Sequence, residues 1–344
     1  MAELFVDLIG QPRAVGLLQA SLVLQRLAPA YLFAGPDGVG RRLAALRFLE
    51  GVLVGLEGSP AVRRRLLEGN HPDLLWLEPT HLHQGQLLTA SQADELGVTK
   101  RALPQLRLEQ VRAVSRFLAR RPLEAGRCLV VIEAVEAMAE GAANALLKTL
   151  EEPGDGLLIL LTSAPERLLS TIRSRCQLIP FGRLDAGAMV QVLSRLDPGV
   201  EAAAVPASTD PAALLELAAG SPGALLLHRQ QWRALPEELA GRLLAGDRLP
   251  IEALALARDL CEALDLEQQL WLLDWWQWQL WRSTLRPWDQ ARIERLRGQL
   301  KGFVQPRLAW EVALLELSQP AGLRPAPGAF RQEVPGSSRL RKPS

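Results

Sequence analysis

The sequence predicts an α/β chain: a parallel, doubly wound sheet followed by a helical half. Three observations predict it. Short apolar runs alternate with helical patterns as far as about Arg183, a glycine-rich turn joins the first of those runs to a helix, and strand signals stop from Leu184 onward. Strands separated by segments long enough to form helices pair through crossovers, and so in parallel.

In chain order, Gln11–Leu27 reads as an amphipathic helix and Tyr31–Ala34 as a short buried strand. The glycine-rich turn follows, then a helical stretch from Val39 to Val54. Asp73–Leu77 is a second strand, Leu108–Arg120 a helix, and Cys128–Ile132 a third strand of apolar and β-branched residues. Ala139–Leu150 reads as a helix and Leu157–Thr162 as a fourth strand. Beyond Leu184, Ala186–Leu196, Pro211–Ala219 and Ser221–Gln231 read as short helices punctuated by Pro and Gly. Longer helical patterns run from Pro236 to Ser318, and the stretch from Pro320 is rich in Pro, Gly, Ser and Arg.

The chain has 344 residues, enough for two or three domains, and 48% of them are hydrophobic, which excludes global disorder. Its formal net charge is +1. A protein that binds DNA strongly by itself carries a basic surplus, so any nucleic-acid role is expected to be shared with partners. No apolar run approaches a membrane span, and the N-terminal stretch has no basic region followed by an apolar one, so neither membrane insertion nor secretion is expected. Cys128, Cys176 and Cys261 lie far apart, the pattern of reduced thiols in a cytoplasmic protein.

The chemistry-bearing turn is Gly35-Pro36-Asp37-Gly38-Val39-Gly40-Arg41-Arg42. It has the glycine spacing of the phosphate loop G-x-x-x-x-G-K-[ST], with Gly35 and Gly40 in register. Arg41 stands where that pattern has lysine, and Arg42 stands where it has the hydroxyl that ligates magnesium. A cation at the metal's place opposes metal binding. The turn is therefore either a tight glycine turn without ligand, a weak nucleotide site without turnover, or a working ATPase loop. The strand Leu129–Ile132 ends in Glu133-Ala134, where ATPases of this type carry Asp-Glu. Glu133 is one methylene longer than the expected aspartate, or is an ordinary strand-end carboxylate; Ala134 cannot orient a water.

Four further segments carry a resemblance. Asp7-Leu8-Ile9-Gly10-Gln11, His71-Pro72-Asp73, Asn144–Pro153 and Thr171–Gln177 are similar, in family order, to segments of bacterial DNA polymerase III clamp-loader subunits in the AAA+ superfamily. The resemblance covers residues 5 to 180. It implies a Rossmann-like AAA+ ATPase-type domain over 1–183, a small helical lid over 184–228 and a helical collar for oligomerisation over 229–319, while composition alone reads 320–344 as a disordered tail. Within Ser174-Arg175-Cys176 it implies that Arg175 is an arginine finger, reaching the γ-phosphate of ATP on a neighbouring motor subunit. Taken without the family, Arg175 is a salt-bridged surface residue, and Arg173 is its competitor as finger.

The degraded loop, Ala134, and Pro222-Gly223 where motor subunits carry a nucleotide-sensing arginine all depart from the motor pattern. They imply a subunit with no cofactor of its own, ATP and magnesium being held by partner subunits. The implied partners are motor subunits of the gamma/tau kind, the delta subunit, the sliding clamp and primed DNA. An active AAA+ motor ATPase and a plain nucleic-acid-binding module are the alternatives. Glu50–Arg107 lacks the cysteines of the family's zinc module, so no metal is expected, and His71, His81 and His83 read as solvated loop residues.

Two surface patterns complete the reading. Arg112, Arg116 and Arg120 are four apart, a positive face that is either solvated or set against DNA phosphates. Five of nine tryptophans lie between Trp271 and Trp281, with Trp271, Trp275 and Trp278 on one helical face and Trp276 nearly opposite. Such a helix needs two apolar neighbours, such as a core and another subunit. Base stacking and ordinary core are the other readings.

Overall fold

The computed structural model describes residues 3–96, 98, 102–152, 154–196, 212–245, 248–284, 287–302 and 304–318. The 320–344 tail lies outside the described residues. The chain divides into two compact units, Met1–Leu235 with Asp265–Trp275, and Pro236–Leu264 with Trp276–Ser344.

The first unit opens with α1 (Pro12–Val23), β1 (Ala30–Ala34), α2 (Arg41–Val54), α3 (Pro60–Leu67) and β2 (Leu74–Leu77). A hairpin of β3 (His81–His83) and β4 (Gln86–Leu88) follows, then α4 (Ala90–Glu95), α5 (Leu108–Leu118) and β5 (Leu129–Ile132). Next come α6 (Glu140–Glu151), β6 (Leu157–Thr162), α7 (Ser170–Arg173) and β7 (Gln177–Pro180). Among the described residues β2, β5, β6, β1 and β7 form one sheet in that order, every pairing parallel. The expected α/β class with a parallel sheet is what the chain adopts. Both faces are covered, which is why β1, β5 and β6 are unbroken apolar runs, buried at every position. One face packs Leu32, Val130, Ile132, Leu158 and Leu160 against Val111 and Val114 of α5 and Leu146 and Leu150 of α6. On α2, Phe48 meets Tyr31 edge-on, ring centroids 5.0 Å apart.

The sheet order places β1 between β6 and β7, so the connection after β6 must cross over β1 to reach the far edge. Ligand crevices of open α/β sheets form at the carboxyl ends of strands where the winding direction changes. The glycine-rich turn leaves β1 at that place.

The structure departs from the sequence reading at three places. Gln11–Leu27 is helical only over Pro12–Val23, because Gln25 enters the left-handed region at φ 51° and ends it. Gln177–Pro180 is a strand, β7; a polar start and a terminal proline hid it, and proline is tolerated because the strand is at an edge. His71 and His81 are not solvated: both are buried, His71 accepting the Asp73 N–H at 3.2 Å and His81 lying in the hairpin. Gln84 and Gly85, at φ 48° and 81°, make the two-residue turn that an Asn-Gly pair would have signalled.

The first unit also holds α8 (Ala186–Leu196), α9 (Ala212–Ala218) and α10 (Pro222–Ala234). Residue 211, which opened the sequence-based helix, lies outside the described residues. The second unit is helical: α11 (Glu237–Leu244), α12 (Pro250–Ala263), the rest of α13 (Leu266–Thr284), α14 (Pro287–Lys301) and α15 (Pro306–Leu317). There α15 packs on α12 and α14 through Ala309, Trp310, Ala313 and Leu314. Within the first unit, Trp271 donates to His228 Nδ1 at 2.9 Å and Trp275 lies 5.3 Å from Trp232. Within the second, Trp276 stacks on Trp310 at 6.2 Å. Trp281 is the exposed member of the cluster. No helix among the described residues is long and apolar enough to cross a membrane.

Candidate functional site

The glycine-rich turn is built for close approach. Gly38 and Gly40 both have left-handed φ, 75° and 102°, and Gly40 caps the N-terminus of α2. A Cβ on Gly38 would come within 2.5 Å of the Ala224 nitrogen and 2.6 Å of Ser221 Oγ. That space is taken by the start of α10. Ser221 caps this helix by accepting the Ala224 N–H at 3.2 Å, and its hydroxyl donates to the Asp37 carbonyl at 2.5 Å. The Gly223 N–H donates to the Gly38 carbonyl at 3.0 Å. Pro222 and Gly223, which offer no sensing side chain, bring backbone against backbone. From the other side Gln11, 4% exposed, donates to the Val39 carbonyl at 3.2 Å and the Gly182 carbonyl at 2.7 Å. The loop is held between two segments far from it in sequence.

The two cations of the loop are both spoken for. Arg41, nearly buried, forms an ion pair with Asp37 one turn away. Arg42 Nη1 lies 2.7 Å from Glu78 Oε1 and 2.6 Å from Glu133 Oε1, with its guanidinium 4.9 Å from the centre of the Trp76 ring. Trp76 also donates its indole N–H to Glu133 at 2.6 Å. The register explains the pair of acids. Leu77 and Ile132 are partners in parallel strands, so Glu78 and Glu133 follow them side by side. Two adjacent carboxylates repel, and one guanidinium between them relieves this. Burial pushes the Glu133 carboxyl above its usual range, while Arg42 and the Trp76 N–H pull the other way. Sequence reading singled out Glu133 but missed Glu78 and Trp76. The available signal was an acid immediately following each of two strands. A cavity of about 470 Å³ lies beside the loop, lined by Asp37, Gly38, Gly40, Arg41, Arg42, Glu133 and Ala134 among others. Among the described residues no group of three or more His, Cys, Asp or Glu is placed to hold a metal ion.

The Ser174-Arg175-Cys176 segment follows α7, which Ile172 anchors in the core at 0% exposure. Ser174 Oγ donates to the Thr171 carbonyl at 3.1 Å. Cys176 packs against the sheet core, and burial pushes its thiol up to about 12, so it stays protonated near neutrality. Arg175 is on the surface; its Nη2 donates to Glu151 Oε1 at 2.7 Å and its Nη1 to the Thr171 carbonyl at 3.1 Å. Arg173 is exposed as well.

Arg112 and Arg116 are exposed on α5, opposite the buried Val111 and Val114. Arg120 is not on that helix, which ends at Leu118. Its guanidinium instead lies over Phe117, 5.6 Å from the ring centre. The positive helical face is therefore two residues, with Arg120 on the turn beyond.

The model of the family described as "DNA polymerase III, delta subunit" matches residues 10–185, and that described as "Cyanobacterial DNA polymerase III delta prime, C-terminal domain" matches residues 187–317. DNA polymerase III subunit delta' of Pseudomonas aeruginosa is 33% identical over 255 residues, 72% of this chain and 69% of that protein. The chain belongs to the DNA polymerase III delta-prime family. A second delta-prime subunit, from Bacillus subtilis, is 36% identical over 196 residues, 54% of this chain; the chain spans about half, 52%, of that relative's length. DNA polymerase III subunit tau of the same organism is 28% identical over 56% of this chain and 31% of its own. Among solved structures, a DNA polymerase III gamma subunit-related protein from Thermotoga maritima aligns with TM-score 0.47 and 16% identity, covering 89% of this chain and 98% of that one.

Proposed function

We propose that this delta-prime family member is a non-hydrolysing subunit of a clamp loader. It would assemble with gamma/tau-type motor subunits and a delta subunit in the cytoplasm, and help set a sliding clamp on primed DNA. One observation carries the non-hydrolysing part: the guanidinium of Arg42 bridges Glu78 and Glu133, where a working loop uses a hydroxyl and an acid to hold magnesium. A second positive charge brought there would be repelled by Arg42 and would have to displace it from both carboxylates.

In this reading Arg175 is the finger that completes the ATP site of a neighbouring motor subunit. Its exposure and its anchored backbone support the role. Residues 184–228 would act as a lid frozen onto its own loop, and 229–319 as the collar. Arg112 and Arg116, with Arg120 nearby, would meet DNA phosphates without reading sequence.

The test is titration of the purified chain with a fluorescent ATP analogue and magnesium. The expected result is no saturable binding in the micromolar range and no phosphate release. Tight binding with steady turnover would transfer the chain to the alternative, an active motor ATPase.

A further inference from the structure

We propose that Glu151 positions the finger: it holds the Arg175 guanidinium in the orientation presented to the neighbouring subunit. The inference rests on the reading of Arg175 as a finger and names the residue through which that reading works.

An exposed arginine samples many rotamers, and ordering it at the moment of reaction opposes the transition state it serves. Arg175 already has two hydrogen-bond partners. Its Nη2 is 2.7 Å from Glu151 Oε1 and its Nη1 is 3.1 Å from the Thr171 carbonyl. The two acceptors come from different elements, the last residue of α6 and the second residue of α7. Together they fix the plane of the fork and use two of its five N–H donors, leaving the others for an incoming anion.

The backbone behind both anchors is tied to the core for a reason visible in the sequence. Leu150, beside Glu151, is buried, and so is Ile172, beside Thr171; the two belong to the same core under the sheet. The adjacent acid does not share the task. Glu152 lines a cavity with Ser115, Lys148 and Thr149 instead. Fold stability gives no reason for the pair, since both side chains are a third or more exposed and such pairs contribute little.

The experiment uses the complex reconstituted from the full chain with its motor and delta subunits, and reads ATP turnover in the presence of primed DNA. Glu151→Ala is expected to lower kcat by about 2- to 10-fold, the range for ordering one flexible side chain, with KM for ATP unchanged. Glu151→Gln, whose amide oxygen accepts the same hydrogen bond, is expected to keep most of the activity. In an Arg175→Ala background Glu151→Ala is expected to change the residual turnover no further. Circular dichroism melts establish that each variant is folded. Turnover at or above wild type in Glu151→Ala overturns the proposal, as does an equal loss in both backgrounds, which would mark a structural role. If Arg175→Ala alone leaves turnover at the wild-type level, the finger reading itself falls, and that outcome is distinct from the other two.

Discussion

The glycine-rich turn and the Ser174–Cys176 segment each carry arginines beside carboxylates, and they spend that charge in opposite ways. In the loop, Arg41 is turned onto Asp37 and Arg42 onto Glu78 and Glu133, while α10 and Gln11 hold the backbone from both sides. In the Ser174–Cys176 segment the backbone is anchored by Ile172, but Arg175 stays on the surface, held by one exposed carboxylate and one carbonyl. The lesson is that an arginine's role is set by how many of its counter-charges the fold already supplies. A guanidinium bridging two acids has its charge met within the chain. One held at a surface with N–H donors to spare remains able to meet an anion.

The largest expected effect lies on the surface side. Arg175→Ala in the reconstituted complex should reduce ATP turnover at the site it serves by on the order of 10³, the lower end of what arginine fingers contribute. Unchanged single-turnover rates would break the comparison, since both segments would then be merely structural. On the loop side, Gly38→Ala should destabilise the fold by about 3 kcal/mol, because left-handed backbone and the collision with Ala224 act together. The urea midpoint reports this, and a shift near zero would mean that α10 is not seated on the loop.

Arg42→Ser should be mild by comparison, about 1 kcal/mol, because the arginine is more than half exposed. It should also fail to create magnesium-ATP binding by calorimetry, since α10 still occupies the approach to Gly38. Binding restored by this single change would show that charge alone closes the site. The smallest effect is one of pH. Burial by itself would raise the Asp73 carboxyl, but the N–H groups of Ala125, Leu123 and Glu124, each at 2.7 Å, outweigh it and hold the group below its ordinary value. A depressed carboxylate stabilises the fold above its unfolded pKa of about 3.9 and loses that contribution as pH falls through the folded value. Acid unfolding of Asp73→Asn should therefore be flatter below about pH 4 than that of wild type.

Most of the sheet was legible in the residues, because a parallel strand covered on both faces must be an unbroken apolar run, and Leu129–Ile132 and Leu157–Thr162 are such runs. The edge strand Gln177–Pro180 and the hairpin of His81 and His83 were not legible. Edge and hairpin strands need no second apolar face, so they carry polar residues and pass for loops. At the site, the spacing of Gly35, Gly38 and Gly40 and the residue types of Arg41, Arg42 and Ala134 were readable, since a glycine-rich turn is a local motif. The partners Glu78, Trp76, Ser221 and Gln11 were not, because nothing in a linear chain joins position 42 to position 78 or position 38 to position 223.

By itself, then, the sequence determined the class of fold, the position of the glycine-rich turn, and the absence of a hydroxyl at position 42 and of an acid at position 134. Residue type alone decides those, because only certain side chains can ligate a metal or orient water. The tertiary structure decided what those positions meet: parallel register sets two carboxylates side by side, Arg42 falls between them, and a helix more than 180 residues away closes on Gly38. Coulomb attraction and close packing act through space, and the fold alone determines which charges and which backbones share it.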